Sequence, residues 1–152
     1  GHSLGGYVSL AFAELFPDYL LGLILVNSTA KGDTKEKINS RNQLIKLLKE
    51  DQKRPLKLLV PNFFSVINRK TGHFRRRYLT MALKASPAGV IATIEGMKIR
   101  KEREILLKFA PFPYLHLIGK HDKLLSTTNK QYYLKNLAIC CYGRRRKSAT
   151  NK

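Results

Sequence analysis

The chain has 152 residues, of which 43% are hydrophobic and 26% are charged, and its formal net charge is +19. A hydrophobic share of this size is typical of a domain with a buried core and excludes a disordered or fibrous chain. No apolar run approaches the roughly 20 residues that a membrane-spanning helix requires, so no membrane partner is expected.

The positive charge is concentrated in the middle and at the end of the chain. Residues 1–30 contain 2 acidic residues and no Lys or Arg, whereas residues 31–109 contain 20 basic and 7 acidic residues. A basic chain can bind nucleic acid, but no nucleic-acid-binding motif accompanies the charge. We therefore interpret it mainly as a solvated surface. A non-catalytic basic module that binds nucleic acid or anionic surfaces stays open as the alternative function.

The first predicted elements form an α/β unit. A helix is expected after Ser3, because apolar residues recur at helical spacing on one face and Pro17 then ends the pattern. Those apolar residues are Val8, Ala11, Phe12 and Leu15. The next run, LLGLILVNS, is apolar without alternation, as is typical of a parallel strand buried on both faces.

Residues 31–109 predict a series of basic helices. Asp33 and Glu36 have the spacing of a capping box, and Ser86 followed by Pro87 marks a further helix start. Apolar stripes along these helices are usually packing surfaces. The stripes are Leu44, Leu47 and Leu48; Phe74, Tyr78, Met81, Ala82 and Ala85; Val90, Ile91, Ile94 and Met97; and Ile105, Leu106 and Phe109.

The last third of the chain returns to the α/β pattern. A second buried strand is expected at about residues 114–118, then a helix in STTNKQYYLKN and a third strand in LAICCY. Residues 143–152, GRRRKSATNK, are expected to form a disordered basic tail. Because Cys140 and Cys141 are adjacent and no metal-ligand spacing exists, we expect neither a disulfide framework nor a zinc site.

One short motif carries chemistry. Gly1-His2-Ser3-Leu4-Gly5 matches the pattern G-x-S-x-G, in which small glycines permit a sharp, strained turn that exposes the serine hydroxyl. In such a turn the backbone N–H of Leu4 would face a developing oxyanion, and the following helix dipole would favour the negative charge. The pattern alone has many chance matches, but here a helix, a strand, a helical insertion and a second strand follow it.

These segments resemble the α/β-hydrolase superfamily in its lipase/esterase-like branch. Residues 1–30 are similar to the nucleophile elbow, the following helix and the next strand, and PYLHLIGKHDKLL is similar to the later strand and its G-x-x-D turn. The resemblance implies that Ser3 is the nucleophile, that Leu4 contributes to the oxyanion hole and that Asp122 is the acid. It implies no metal or organic cofactor.

The resemblance also predicts the organisation of the chain. The expected class is α/β, a partial α/β-hydrolase fold with about three parallel strands, flanking helices and a helical cap insertion. Residues 1–30 and 110–142 would form the hydrolase core, residues 31–109 the cap and residues 143–152 the tail. The strands that precede the elbow in the family would belong to a longer parent protein, and the open sheet edge would allow self-association.

The histidine that the family requires after the acid does not occur, because no histidine follows Asp122. We expect the His2 ring to turn away from the serine hydroxyl, His73 to lie on the surface and His116 in the core. His121, beside the acid, is a weak candidate for the base. The chain is thus expected to be a fragment of a cytoplasmic serine hydrolase for small carboxylic esters or thioesters, inactive because its catalytic histidine is missing.

Overall fold

The structure is a computed structural model that describes residues 1–64, 72–119, 122, 125 and 139–140, the last two by their backbone alone. In chain order the elements are α1 (Leu4–Leu15), β1 (Leu23–Val26), α2 (Lys35–Glu50), α3 (Lys53–Leu59), α4 (Gly72–Lys84), α5 (Pro87–Lys98), α6 (Glu104–Lys108), β2 (Tyr114–Leu117) and β3 (Ile139–Cys140). The predicted helix at residues 126–136 and the predicted tail lie outside the described residues. None of the described helices is long and apolar enough to cross a bilayer.

The strands form a parallel sheet in the order β1-β2-β3. Leu23 pairs with Tyr114 and Val26 with Leu117, while His116 pairs with Ile139. On the other side of β1, His2 forms a parallel bridge with Val26, so the residues before Ser3 run along β1 as a further short stretch of ladder. This parallel sheet with its flanking helices confirms the predicted partial α/β fold.

Helix α1 packs on β1 through small residues. Its buried residues are Gly6, Leu10 and Ala13, and the core of the sheet region continues into Leu23, Leu25, Ala30, Leu107 and Phe112. The predicted apolar face of this helix is the opposite one: Val8 is 63% exposed and Leu15 is 68% exposed. Helical periodicity found the helix but not its packing face, because α1 carries apolar residues on both sides.

A second core lies among the helices between β1 and β2. Ile45 and Leu48 of α2 pack with Leu56 of α3 and Ile94 of α5. The predicted stripe of α5 joins this core, and Ser86 caps α5 by accepting a hydrogen bond from the Gly89 N–H at 3.1 Å. The stripe of α4 does not pack in this way, since no residue of α4 is buried.

Helix α6 belongs to the sheet by its packing. Leu107 is part of the core around β1, and Leu106 packs against that core as well. The prediction from the sequence assigns this helix to the cap, residues 31–109. The division into segments stays a prediction, and the packing favours a boundary before α6.

The predicted capping box at Asp33 is wrong. The N-cap of α2 is Thr34, whose side chain accepts a hydrogen bond from the Lys37 N–H at 3.4 Å. The Asp33 carboxylate is fully buried instead and forms ion pairs with Arg41 and Arg100. Two guanidinium groups within reach bind this carboxylate more strongly than one backbone amide would.

The ion cluster of Asp33, Arg41 and Arg100 joins the helical insertion to the sheet region. Arg100 also donates to the carbonyls of Lys31 and Met97, and its guanidinium lies over the Tyr7 ring of α1 at 4.2 Å from the centroid. Burial alone would raise the pKa of Asp33. Its hydrogen bond to Arg41 and the charge of Arg100 outweigh burial and hold the pKa below its usual value.

We predict that Asp33→Asn lowers the free energy of unfolding by about 3 kcal/mol near neutral pH, because it removes the buried carboxylate that pairs with both Arg41 and Arg100. The folded-state pKa of Asp33 is depressed, so its contribution is complete above the unfolded pKa and is lost as pH falls through the folded value. Urea titrations at several pH values should therefore show the difference from wild type shrinking below about pH 4. Asp18→Asn, at an exposed site, is the control; a pH-independent difference for Asp33→Asn would contradict the assignment.

Candidate active site

Ser3 occupies a strained bend between the short ladder stretch and α1. Its backbone has φ 49° and ψ −116°, a conformation that residues other than glycine rarely adopt. Ser3 is the N-cap residue of α1, yet its side chain makes no capping hydrogen bond. Ser3 is an exposed residue, and its hydroxyl does not help to hold the helix together.

Two of the three nearby glycines are needed for close packing. A Cβ on Gly1 would collide with Gly5 and Ser9, and a Cβ on Gly6 would collide with the Ser28 side chain. For Gly5, the second glycine of the motif, no described atom lies within 4 Å of such a Cβ. The expectation that both motif glycines prevent clashes thus holds for Gly1 and not for Gly5 among the described residues, whereas Gly6 is constrained instead.

Polar groups under the bend hold its backbone. The Ser3 N–H donates to the Val26 carbonyl at 3.0 Å, and the Ser28 hydroxyl donates to the Ser3 carbonyl at 2.8 Å. Nε2 of His116 lies 2.8 Å from the Ser28 carbonyl, which can only accept, so this nitrogen carries the proton. The bend is therefore linked through Ser28 to the middle of β2.

His116 is a neutral structural residue. Its side chain is 0% exposed, and burial lowers its pKa, while the hydrogen bond to the Ser28 carbonyl raises the pKa by a smaller amount. This agrees with the expected core position. Nε2 carries a proton and donates it in a hydrogen bond to the Ser28 carbonyl, so it cannot accept a proton from the Ser3 hydroxyl.

Asp122 lies at the same edge of the sheet as Ser3. The Asn27 side chain accepts a hydrogen bond from the Gly119 N–H at 2.7 Å, and the Asp122 N–H donates to the Gly119 carbonyl at 3.0 Å. The Asp122 carboxylate is half-buried and accepts from the Leu125 N–H at 3.2 Å. It thus stands in a tight turn directly after β2.

The ladder order sets the separation of the two predicted residues. Ser3 follows the short stretch beside β1, and Asp122 follows β2 on the other side of β1. Since neighbouring strands are about 4.8 Å apart, the two backbones are separated by roughly 10 Å across the sheet. Both residues therefore follow the carboxyl ends of strands that flank β1 on its two sides.

The Leu4 amide lies at the N-terminal end of α1, directly after Ser3. Leu4 is the first residue of α1, and within the described part of the chain its N–H makes no hydrogen bond. The N-terminal end of a helix carries a partial positive charge, which adds to the effect of this amide. Ser3 is therefore followed by an N–H group that has no partner among the described residues.

Of the remaining histidines, the structure describes His2 and His73, and both are exposed. His2 is exposed beside β1, and His73 is exposed on α4, where its ring contacts Phe74 at 5.7 Å. The surface position expected for His73 is confirmed. His121 lies outside the described residues, so its relation to Ser3 stays a prediction.

Sequence reasoning missed Asn27 and Ser28. Asn27 has φ 43°, and asparagine is among the few residues that enter this left-handed region readily. Its main-chain N–H and its side chain both bind the end of β2, through Leu117 and Gly119. The only signal was the polar pair after the apolar run LILV, which indicates a turn but not a hydrogen-bonding partner.

The solved structures that match this chain in shape include two esterases and an α/β-hydrolase enzyme. A thermophilic esterase from Thermogutta terrifontis aligns with TM-score 0.81 and 26% identity, covering 91% of this chain and 53% of that one. An esterase from Exiguobacterium antarcticum has TM-score 0.77 and 19% identity, covering 94% and 56%. An α/β-hydrolase enzyme from a Medee basin deep-sea metagenome library has TM-score 0.74 and 15% identity, covering 93% and 54%. No protein-family model and no curated protein matches the chain.

The chain has the α/β-hydrolase fold in part. It spans about half the length of the enzymes it matches, consistent with the C-terminal part of such a hydrolase. The resemblance expected from the sequence is confirmed at the level of the fold.

We predict opposite effects of alanine at the two adjacent glycines of α1. Gly5→Ala should leave stability unchanged or raise it by up to about 1 kcal/mol, because helix propensity improves and space is open. Gly6→Ala should lower it by about 1–3 kcal/mol, because its Cβ would overlap Ser28. Chemical denaturation of both variants gives the measurement.

Ser28→Gly supplies the specificity control. In this background Gly6→Ala should cost less than in wild type, a coupling that a double-mutant cycle measures directly. Equal costs of Gly6→Ala in the two backgrounds would show that Ser28 does not limit the approach of α1.

Proposed function

We propose that the chain carries the nucleophile half of a serine esterase, with Ser3 as the attacking residue. The observation that supports this most is the backbone of Ser3, which is strained at φ 49°. Ser3 is also exposed, and its hydroxyl makes no capping hydrogen bond to α1. A serine in an ordinary helix-capping role would use that hydroxyl to bond the helix N–H groups. Strain together with an unused hydroxyl favours a chemical role.

The proposed reaction is acyl transfer to water. The Ser3 oxygen forms a bond to the ester carbonyl carbon while its proton passes to a base, and the carbonyl oxygen becomes an oxyanion next to the Leu4 N–H. The carbonyl re-forms as the alcohol leaves with that proton, giving an acyl-serine. Water then repeats the sequence and releases the carboxylic acid. This chemistry requires no metal or organic cofactor.

Asp122 is proposed as the acid that orients the base. In this arrangement an imidazole would lie between Asp122 and Ser3, whose backbones are roughly 10 Å apart across the sheet. No histidine follows Asp122 in the chain, and His116 is committed to Ser28. We therefore propose that residues 1–152 alone do not turn over substrate.

The substrate class follows from the chemistry and the fold. Two of the matched structures are described as esterases, which supports a small carboxylic ester, with a thioester as the related alternative. The helical insertion α2–α5 would shape the acyl or alcohol side of the pocket. A cytoplasmic location stays a prediction.

We predict that a fluorophosphonate probe modifies Ser3 slowly and that added imidazole accelerates the modification. A serine hydroxyl is a weak nucleophile without a base, and imidazole in solution can replace the absent side chain. Peptide mass spectrometry should locate the adduct on residue 3. Hydrolysis of p-nitrophenyl acetate should stay at the background rate in the absence of imidazole.

The matched control uses the other serine on the same helix. Ser3→Ala should abolish labelling, whereas Ser9→Ala should leave it unchanged, since the Ser9 hydroxyl donates to the Gly5 carbonyl. Labelling that survives in Ser3→Ala, or that falls mainly on another residue, would contradict the proposed nucleophile.

We also propose that the chain self-associates through the outer face of α1 and the adjacent sheet edge. Val8, Leu15 and Ile24 all expose at least half of their surface. Within the described residues no strand pairs with the outer side of residues 1–2. Unpaired strand edges beside exposed apolar surface commonly lead to association.

Sedimentation velocity should therefore show a distribution that shifts to larger species as concentration rises. The double variant Val8→Ser with Leu15→Ser should shift it towards monomer, because it removes apolar surface from the proposed contact. Leu47→Ser with Ile105→Ser removes two exposed apolar side chains elsewhere and should have no such effect. A wild-type chain that is monomeric at every concentration would contradict this proposal.

A further inference from the structure

Helix α4 has no role in the proposed esterase reaction and contributes no buried residue to either hydrophobic core. None of its 13 residues is buried. Among the described residues, it packs on the second core through the partly buried Ala82 and Leu83, and its Tyr78 ring lies 5.4 Å from the Phe64 ring between centroids. Most of its surface is therefore open to solvent, in contrast to α2 and α5.

The open side of α4 carries an apolar stripe. Phe74, Tyr78 and Met81 are 56%, 52% and 60% exposed, and their spacing of four and three residues places them on one face of the helix. The exposed Leu58 lies on α3, which packs beside α4. Exposed aromatic and aliphatic side chains that form a continuous stripe are typical of a binding surface.

Positive charge borders this stripe on both sides. At about 100° per residue, Arg75 falls on one flank, while Arg77 and Lys84 fall on the other. The helix sequence GHFRRRYLTMALK has four Lys or Arg residues and no acidic residue. In the described part of the chain no acidic side chain forms an ion pair with these groups.

The combination indicates what binds there. Guanidinium and ammonium groups bind phosphate oxygens. An apolar stripe between these groups is matched by a partner that offers apolar groups directly beside its phosphates. A bilayer surface with anionic headgroups offers both in one plane. Nucleic acid also offers phosphates, but its protein contacts are mostly polar, so Met81 and Leu58 would stay in water.

We propose that α4 is an interfacial helix that binds the surface of an anionic lipid bilayer. Phe74, Tyr78 and Met81 enter the boundary between headgroups and acyl chains, while Arg75, Arg77 and Lys84 bind the lipid phosphates. The helix lies on the surface and does not span it. The proposal assigns the anionic-surface binding, which the net charge left open, to α4, and it does not depend on the proposed esterase reaction. It departs from the expectation of no membrane partner, because that expectation considered only helices that span a bilayer.

The absence of tryptophan from the chain makes a direct test possible. In the full chain, Phe74→Trp introduces a single indole on the stripe, at an exposed position where the fold should tolerate it. We expect its emission to shift to the blue with vesicles of phosphatidylcholine and phosphatidylglycerol, and not with phosphatidylcholine alone. Leu47→Trp, exposed on α2, should show no shift. Co-sedimentation of the unmodified chain with the same vesicles gives an independent measurement.

Charge variants locate the binding surface. Arg75→Gln with Arg77→Gln should weaken vesicle binding by about tenfold or more. Two pairs match it in charge: Lys46→Gln with Lys49→Gln on α2, and Arg144→Gln with Arg145→Gln near the chain end. Each control pair should change binding by less than about threefold.

Three results would overturn the proposal. The first is equal binding to vesicles with and without phosphatidylglycerol. The second is loss of binding in a control pair but not in the α4 pair. The third is an indole that responds to duplex DNA and not to vesicles, which would assign the surface to nucleic acid.

Discussion

The backbone of Ser3 is the constraint on which the rest of the arrangement depends. A serine at φ 49° costs roughly 1–3 kcal/mol, so surrounding contacts must impose it. The bridge of His2 to Val26 fixes the residue before the bend, and the Ser28 hydroxyl binds the Ser3 carbonyl. Gly6 lets α1 approach Ser28 closely enough for that bond. Small residues and short polar side chains together hold a conformation that no single one of them would stabilise.

The same contacts relate the bend to the end of β2. His116 donates from the middle of β2 to the Ser28 carbonyl, and Asn27 binds Gly119 just before the Asp122 turn. Buried polar groups of this kind are expensive unless paired, so they favour one mutual position of the strand ends. The residues after β1 therefore connect the Ser3 bend to the end of β2. The helical insertion is attached separately through the ion cluster at Asp33.

Much of the fold could be predicted from the sequence, because short apolar runs and helical periodicity depend on local spacing. The strands at Leu23–Val26 and Tyr114–Leu117 and the cap at Ser86 were predicted on that basis. The expected burial of β1 on both faces is wrong, because Ile24 is 52% exposed on the face that α1 does not cover. The face by which α1 packs on the sheet could not be predicted, because Val8 and Leu15 are as apolar as Leu10. The close approach of Gly6 to β1 determines which of the two faces is buried. Asp33 was wrongly predicted to cap α2, because its ion-pair partner Arg100 is distant in sequence and no local pattern indicates it. Ser3 and Asp122 could be proposed from motifs, whereas the supporting Asn27 and Ser28 act through long-range hydrogen bonds that no local pattern indicates.

The most direct test is a crystal structure of the chain after reaction with a fluorophosphonate. The account predicts phosphorus bonded to the Ser3 oxygen, a positive φ at Ser3, and a phosphonyl oxygen about 2.7–3.1 Å from the Leu4 nitrogen. It also predicts that the Asp122 carboxylate lies at the same sheet edge. A Ser3 in ordinary extended backbone geometry, with an unmodified hydroxyl that accepts a hydrogen bond from the first turn of α1, would contradict it.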